Sequence, residues 1–281
     1  MGSKISKAKR PTSAKPKAAV VPRVPQEIID EILDYLALDS DFESLRSCAL
    51  VSKSWVPSCR RHLFHTILFA SWDMTRWLNR FPVPEESPGH HVKDLHFPLG
   101  GFFDGPRGFS EQTPWFTNVE RMTLSGHGGY LSSQTASLRR LPQSVTSLTI
   151  DTDMVTLVQI RDVMVQLPNL NDLSLSGSLV AGDRNALSGI GTVLRGKFGG
   201  QLRLLSGYAD KDVMNMLLEV PTGLHFTEMR IRGTHVSFLS TVRLAEACCK
   251  TLVKLSYAVS IRGKSHPFSW PSRFWRAQCY R

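Results

Sequence analysis

The feature that most constrains this chain is a six-residue pattern, apolar-x-x-apolar-x-apolar, that keeps returning. It occurs at Val92/Leu95/Phe97, Val119/Met122/Leu124, Val145/Leu148/Ile150, Leu170/Leu173/Leu175, Phe226/Met229/Ile231 and Leu252/Leu255/Tyr257. A weaker member, Leu202/Leu205, has Gly207 in the third place. With that member included, the starting positions advance by 27, 26, 25, 32, 24 and 26 residues. The last two apolar positions lie two residues apart, so a short strand through them points both to one face and the residues between them to the other. One strand plus a return segment cannot bury its apolar side alone, and needs the next unit stacked beside it.

The return segments carry a second periodicity. Leu157, Ile160, Met164 and Leu167 are spaced for one helical face and are followed by Pro168; Val213, Met216, Leu217 and Val220 share a face and are followed by Pro221. Apart from one long step, the period falls in the leucine-rich-repeat range. The repeats are irregular and lack a consistent asparagine after the third apolar position. The fold expectation is α/β, an irregular leucine-rich-repeat-like solenoid with its helices on the convex side. A doubly wound sheet is the alternative, and the short steps favour the solenoid.

Ahead of the repeats, Val21 to Phe64 has a different character. Ile28, Ile29, Ile32, Leu33 and Leu36 recur at helical spacing while Glu27, Asp30, Glu31 and Asp34 fall elsewhere on the same turns, and Pro25 suits a first helical position. A second helix carries Leu45, Cys48, Ala49 and Ser52 on one side, and Pro57 interrupts or restarts it after Trp55. So short a unit buries too little surface to stand alone and calls for a partner. The succession V-P-x-E-I-I-x-x-I-L-x-x-L, S-L-x-x-C-A-L-V-S-K-S-W and R-R-H-L-F resembles the F-box of fungal F-box proteins. The resemblance covers about a sixth of the chain. It implies a substrate receptor of an SCF-type cullin–RING ubiquitin ligase, docking on the Skp-family adaptor while the repeats hold a target protein. Carried over by position, Pro25, Ile28, Ile29, Ile32, Leu33, Leu36, Leu45, Val51 and Trp55 face the adaptor or pack the module, and sequence does not separate the two roles. Val24, where leucine is common, and the acidic connection Leu38 to Glu43 depart from the pattern but leave the helical faces intact.

In the repeat strands the alternate side chains are Asp94, His96, Arg121, Thr123, Ser147, Thr149, Asp151, Asp172, Ser174, Tyr208, Glu228, Arg230, Arg232 and Lys254. They are expected on a concave, target-binding face, with Asp151, Asp172, Tyr208, Glu228, Arg230, Arg232 and Lys254 as the candidate target contacts. Early strands offer Asp and hydroxyls; late strands offer Arg and Lys. Arg230, Arg232 and Lys254 should therefore form one basic patch suited to acidic groups on the target.

The net charge of +10 is unevenly placed. Residues 1–23 hold seven Lys/Arg and no acid, and residues 247–281 hold another seven and no acid, so the middle has 20 bases against 24 acids. A nucleic-acid-binding fold carries its basic patch on the folded surface, which argues against such a role for the body. The expected divisions are a disordered basic tail at 1–20, the F-box-like module at 21–70, the repeats at 71–263 and an irregular basic, aromatic tail at 264–281. The first tail reads as a solvated leader, with nuclear import or polyanion binding as its functional alternative.

No run of eighteen apolar residues predicts a membrane span, and the N-terminus lacks the apolar region of a secretory signal, so a cytoplasmic or nuclear location with reduced cysteines is expected. Cys59, His62 and His65 are spaced like metal ligands on a helix but lack a fourth. GTVLRGKF, from Gly191 to Phe198, approaches a phosphate-binding loop, yet Phe198 stands where a magnesium-holding hydroxyl belongs. No catalytic residue, metal or cofactor is therefore expected. A ligase-independent repeat scaffold is the second functional reading, and a nucleic-acid-associated protein acting through its basic ends is a third.

Overall fold

The computed structural model describes residues 24–69, 73–99, 115–127, 143–180, 190–205, 211–233, 237–261 and 264–270. The basic leader 1–20, Gly207 and Tyr208 lie outside these residues.

Three short helices come first: α1 (Gln26–Leu38), α2 (Phe42–Val51) and α3 (Val56–Leu63). Pro25 sits one residue ahead of α1, at its cap. Asp41 caps α2 by accepting the Ser44 amide at 3.0 Å, and Pro57 falls in the first turn of α3, where its missing N–H costs no helical bond. Ile29, Leu33, Leu45 and Cys59 form a small core of their own, with Leu36, Ala37, Cys48, Ala49, Trp55 and Leu63 packed around it. Ser58 Oγ donates to Asp30 Oδ1 at 2.7 Å and ties α3 to α1.

The rest of the described chain alternates strands and helices: β1 (Thr66–Leu68), α4 (Asp73–Arg80), β2 (Asp94–Leu99), β3 (Arg121–His127), β4 (Ser147–Val155), α5 (Leu157–Val165) and β5 (Asp172–Leu179), then β6 (Gln201–Leu204), α6 (Lys211–Leu218), β7 (Glu228–Gly233), α7 (Phe238–Ala247), β8 (Lys254–Ile261) and β9 (Lys264–Trp270). The fold is α/β, with one sheet whose strands stand in chain order; β1 to β8 are parallel and β9 is antiparallel at the edge. The order never reverses, so the sheet has none of the switch points at which a doubly wound sheet changes direction.

The repeated apolar positions line up across the sheet. Leu95, Met122, Leu148, Leu173, Leu202, Met229 and Leu255 are successive partners, as are Phe97, Leu124, Ile150, Leu175, Leu204, Ile231 and Tyr257. Both rows are buried, in one core with the inward faces of α5, α6 and α7. Thr156 and Gln159 form a reciprocal capping box that starts α5 directly after β4.

A second periodic device joins the units through the backbone. The carbonyl of His65 accepts the amides of both Lys93 and Asp94; Lys93 accepts Glu120 and Arg121; Glu120 accepts Thr146 and Ser147; Thr146 accepts Asn171 and Asp172; Gly200 accepts Thr227 and Glu228; Thr227 accepts Val253 and Lys254. Side chains reinforce the joints where an asparagine ladder was not found in the sequence. Ser144 donates to the Val119 carbonyl at 2.7 Å, Thr227 to Gly200 at 3.1 Å and Thr251 to Phe226 at 3.2 Å.

The structure corrects three sequence expectations. Leu202 pairs with Leu173 and Met229 and therefore holds the second apolar position, not the first; Leu204 holds the third, and Leu205 is exposed. Gly199 takes the first position, so the steps from Leu170 to Phe226 become 29 and 27 residues in place of 32 and 24. The missing side chain is supplied one residue early by Phe198, which adopts φ 42°, is fully buried and packs its ring 5.9 Å from that of Phe226. Second, β1 belongs to the sheet, so the helical unit ends near Leu63 rather than at residue 70. Third, the stretch after Lys264 is not irregular throughout, because β9 pairs with β8 along its length. Pro267 is tolerated there since an edge strand can spare a donor.

Gly177 has φ +117°, and a Cβ built on it would lie 1.9 Å from the Thr152 carbonyl oxygen beside a register shift in the β4–β5 pairing. Gly177→Ala is expected to destabilise the sheet by about 2 kcal/mol or more, read as a lowered denaturation midpoint. Burial pushes the Cys248 thiol up to about 11. Alkylation of the native protein at pH 8, followed by mass spectrometry, should leave Cys248 unmodified until the chain is unfolded.

Candidate functional site

The helical unit presents two sets of apolar residues with different fates. Ile29, Leu33 and Leu45 are buried in its core, and Leu36 and Trp55 are packed against that core. Ile28, Ile32 and Val51 face solvent, together with Pro25. The contrast is sharpest between neighbours, since Leu33 is 0% exposed and Ile32 50%. Ile28, Ile32 and Tyr35 form one stripe along α1 at helical spacing, and Tyr35 joins the residues that the sequence singled out. On α2 the exposed Val51 has Leu50 beside it, 89% exposed. Tyr35 and Leu50 were missed because a residue's burial depends on which helix it meets, and periodicity alone assigns no partner.

The second surface is the face of the sheet opposite the helices. Its residues run in rows across the strands. Asp94, Arg121, Ser147 and Asp172 are successive register partners, and so are Gln201, Glu228 and Lys254; His96, Thr123, Thr149 and Ser174 form a second row that continues through Arg203, Arg230 and Ser256. Asp151 pairs with Ser125 and Ser176 one position further along, and Arg232 pairs with Ala258. Gln201 and Arg203 enter the face through the corrected register of β6.

Several of these polar groups already have partners. Asp94 accepts from Nε and Nη2 along one edge of the Arg121 guanidinium, with the Nη2–Oδ2 contact at 2.6 Å, and His65 Nδ1 lies 3.8 Å away. Asp172 Oδ1 accepts the Gln201 amide, and Asp151 Oδ1 accepts Ser176 Oγ at 2.6 Å. Glu228 Oε1 lies 2.6 Å from Lys254 Nζ and 3.4 Å from Arg230 Nη2. Its hydrogen bond from Lys254, then the charges of Lys254 and Arg230, hold its carboxyl below the ordinary range. The expected patch of Arg230, Arg232 and Lys254 is thus altered: Lys254 is engaged by Glu228, while Arg203 stands directly opposite Arg230.

The other constellations do not converge. Cys59 lies in the helical core, whereas His62 Nε2 points to Asp34 Oδ1 on α1 at 2.8 Å. In the Gly191–Phe198 stretch the Gly191 amide donates to Glu219 Oε2 at 2.9 Å and Phe198 is buried in the core, so these groups are committed to packing rather than to a phosphate. A cavity of about 550 Å³ lies between the helical unit and β1, lined by Leu38, Phe42 and Leu63 with Asp34, His62 and His65. Among the described residues, no helix is long and apolar enough to cross a membrane.

Truncation should separate the two faces of α1. Leu33→Ala is expected to cost about 2–5 kcal/mol of stability by opening a cavity in the small core, and Ile32→Ala to stay within about 0.5 kcal/mol. Chemical denaturation followed by circular dichroism measures both. No family model matches the chain, and neither a curated protein nor a solved structure is similar to it beyond chance.

Proposed function

We propose that the protein is a non-catalytic substrate receptor of an SCF-type cullin–RING ubiquitin ligase, its helical unit an F-box that docks on the Skp-family adaptor and its sheet an irregular leucine-rich-repeat-like solenoid that holds a target protein. The observation that carries this reading is the division of α1. Ile29 and Leu33 close the unit's own core while Ile28, Ile32 and Tyr35 remain in water. Large apolar side chains grouped on one face and left exposed mark a protein-binding site. The chain-order parallel strands, with register steps of 25 to 29 residues after Val92, support the solenoid.

One observation favours the second reading, a ligase-independent scaffold whose helical unit serves as an N-terminal cap. The unit runs directly into β1, and Phe64 packs edge-on against Trp77 at 6.0 Å, in a ring cluster with Phe69 and Phe116 that closes the end of the sheet core. A cap accounts for this packing but gives no reason to keep Ile28, Ile32 and Tyr35 exposed.

The two readings part on one measurement, co-purification with the Skp-family adaptor. The wild-type chain should retain the adaptor, and Ile32→Asp should abolish retention, because a carboxylate buried without a partner at the interface costs several kcal/mol. Unchanged far-ultraviolet circular dichroism is the control for folding. Failure of the wild-type chain to hold the adaptor favours the scaffold; equal retention by the variant removes α1 from the interface.

A further inference from the structure

On the exposed sheet face Arg203 and Arg230 are register partners on β6 and β7, and Arg232 follows Arg230 on the same side of its strand. Adjacent strands are about 4.8 Å apart and alternate residues about 6.6 Å, so three guanidinium groups share an area that one short peptide segment can span. Like charges set directly opposite on neighbouring strands oppose strand pairing. The chain compensates only in part: Arg203 donates to the neutral Gln201 side chain at 2.8 Å, Arg230 reaches Glu228 at 3.4 Å while Lys254 holds that same oxygen more closely, and Arg232 has no partner among the described residues.

We propose that Arg203, Arg230 and Arg232 form the receptor site for a carboxylate-rich segment of a partner protein. The inference deepens the target-binding role of the sheet face and rests on it. The patch already binds one carboxylate, that of Glu228, seated between Arg230 and Lys254. An incoming Glu or Asp presents the same group to the guanidinium edges that Glu228 leaves open, and planar guanidinium groups match carboxylates with two parallel hydrogen bonds. Polarity of the surroundings selects against a nucleic acid. Asp172 lies on β5 beside β6, and Asp151 and Asp153 lie one strand further on β4, so a continuous run of phosphates leaving the patch would meet carboxylates. From the middle of the β6–β7 pair to β4 is about 12 Å, roughly four residues of extended peptide. The fitting segment therefore has two acidic residues close together and neutral or basic residues about four positions away.

The test uses the full chain and labelled twelve-residue peptides followed by fluorescence anisotropy. One peptide carries two adjacent glutamates, a second carries glutamines there, a third carries phosphoserines, and a single-stranded RNA is the fourth probe. The glutamate peptide should bind at least about tenfold more tightly than the glutamine peptide and lose about tenfold when R203E and R230E are combined. Glu228→Gln should tighten binding several-fold by releasing the internal guest, whereas a merely structural Glu228 would give no gain. If the double reversal fails to fold, R203Q combined with R230Q replaces it. Equal binding of the glutamate and glutamine peptides, tighter binding of RNA, or capture of the phosphoserine peptide without the glutamate peptide overturns the proposal. Because the adaptor takes no part in these measurements, their failure leaves adaptor docking unaffected, and loss of adaptor docking leaves them intact.

Discussion

Most joints of the parallel sheet depend on a carbonyl that serves two amides. At six of the seven parallel joints the backbone oxygen just before one strand receives consecutive N–H groups from the start of the next, with acceptors His65, Lys93, Glu120, Thr146, Gly200 and Thr227; between β5 and β6 the Asn171 carbonyl takes only the Gly200 amide and the Asp172 side chain takes that of Gln201. A parallel strand entered from a loop would otherwise leave its first donors unpaired next to a buried core, and each such orphan costs about 1–3 kcal/mol. The shared carbonyl removes that cost and also sets register. With it fixed, the residue after next must turn inward, and the buried rows of Leu95 through Leu255 and Phe97 through Tyr257 follow.

The same joint explains what the sequence showed and what it hid. Six triads were legible because each combines an apolar strand with an apolar residue at its entrance, such as Val92, Val119 or Leu170, all fully buried. At β6 the entrance is Gly199, and the apolar group comes from Phe198 in a left-handed conformation. A pattern search finds no side chain at the right place and slides to the next leucine pair, Leu202/Leu205. A shift of register turns side chains to the opposite face, so that slip hid Arg203 and put Tyr208 in its stead. Local backbone strain at one phenylalanine thus displaced part of the candidate site. The helices show the complementary case, since α5 and α6 were legible from spacing and a following proline, while α7, whose buried residues Thr241, Leu244 and Ala245 include a hydroxyl and a small side chain, was not.

The N-terminal unit follows a different energetic logic. Four fully packed residues, Ile29, Leu33, Leu45 and Cys59, make a core too small to offset the entropy of ordering three helices, given about 1–2 kcal/mol of backbone entropy per residue. Its remaining stabilisation comes from outside. One source is visible, in the ring of Phe64 against Trp77 and the direct continuation of α3 into β1. The stripe of Ile28, Ile32 and Tyr35 is uncovered, and under the proposed docking its burial against a second protein would add apolar contact that the unit does not make internally.

The sheet face inverts this relation between what is paired and what is open. At its early end Asp94 and Arg121 neutralise one another in a two-point contact, whereas Asp151 and Asp172 accept from neutral donors, Ser176 and the Gln201 amide, and keep their charge. At its late end Arg230 and Lys254 share Glu228, while Arg203 is held by the neutral Gln201 side chain and Arg232 has no partner among the described residues. Exposed pairs contribute little to stability, and their arrangement is therefore free to follow binding rather than folding. On the proposed reading, charge imbalance at one end of an in-register surface would orient an acidic segment as well as attract it, because the acidic side chains on β4 and β5 would penalise the reversed direction. Such discrimination would depend in turn on the backbone joints, since they fix the register that sets Arg203 opposite Arg230, and guanidinium groups select a partner by geometry only when that spacing is held.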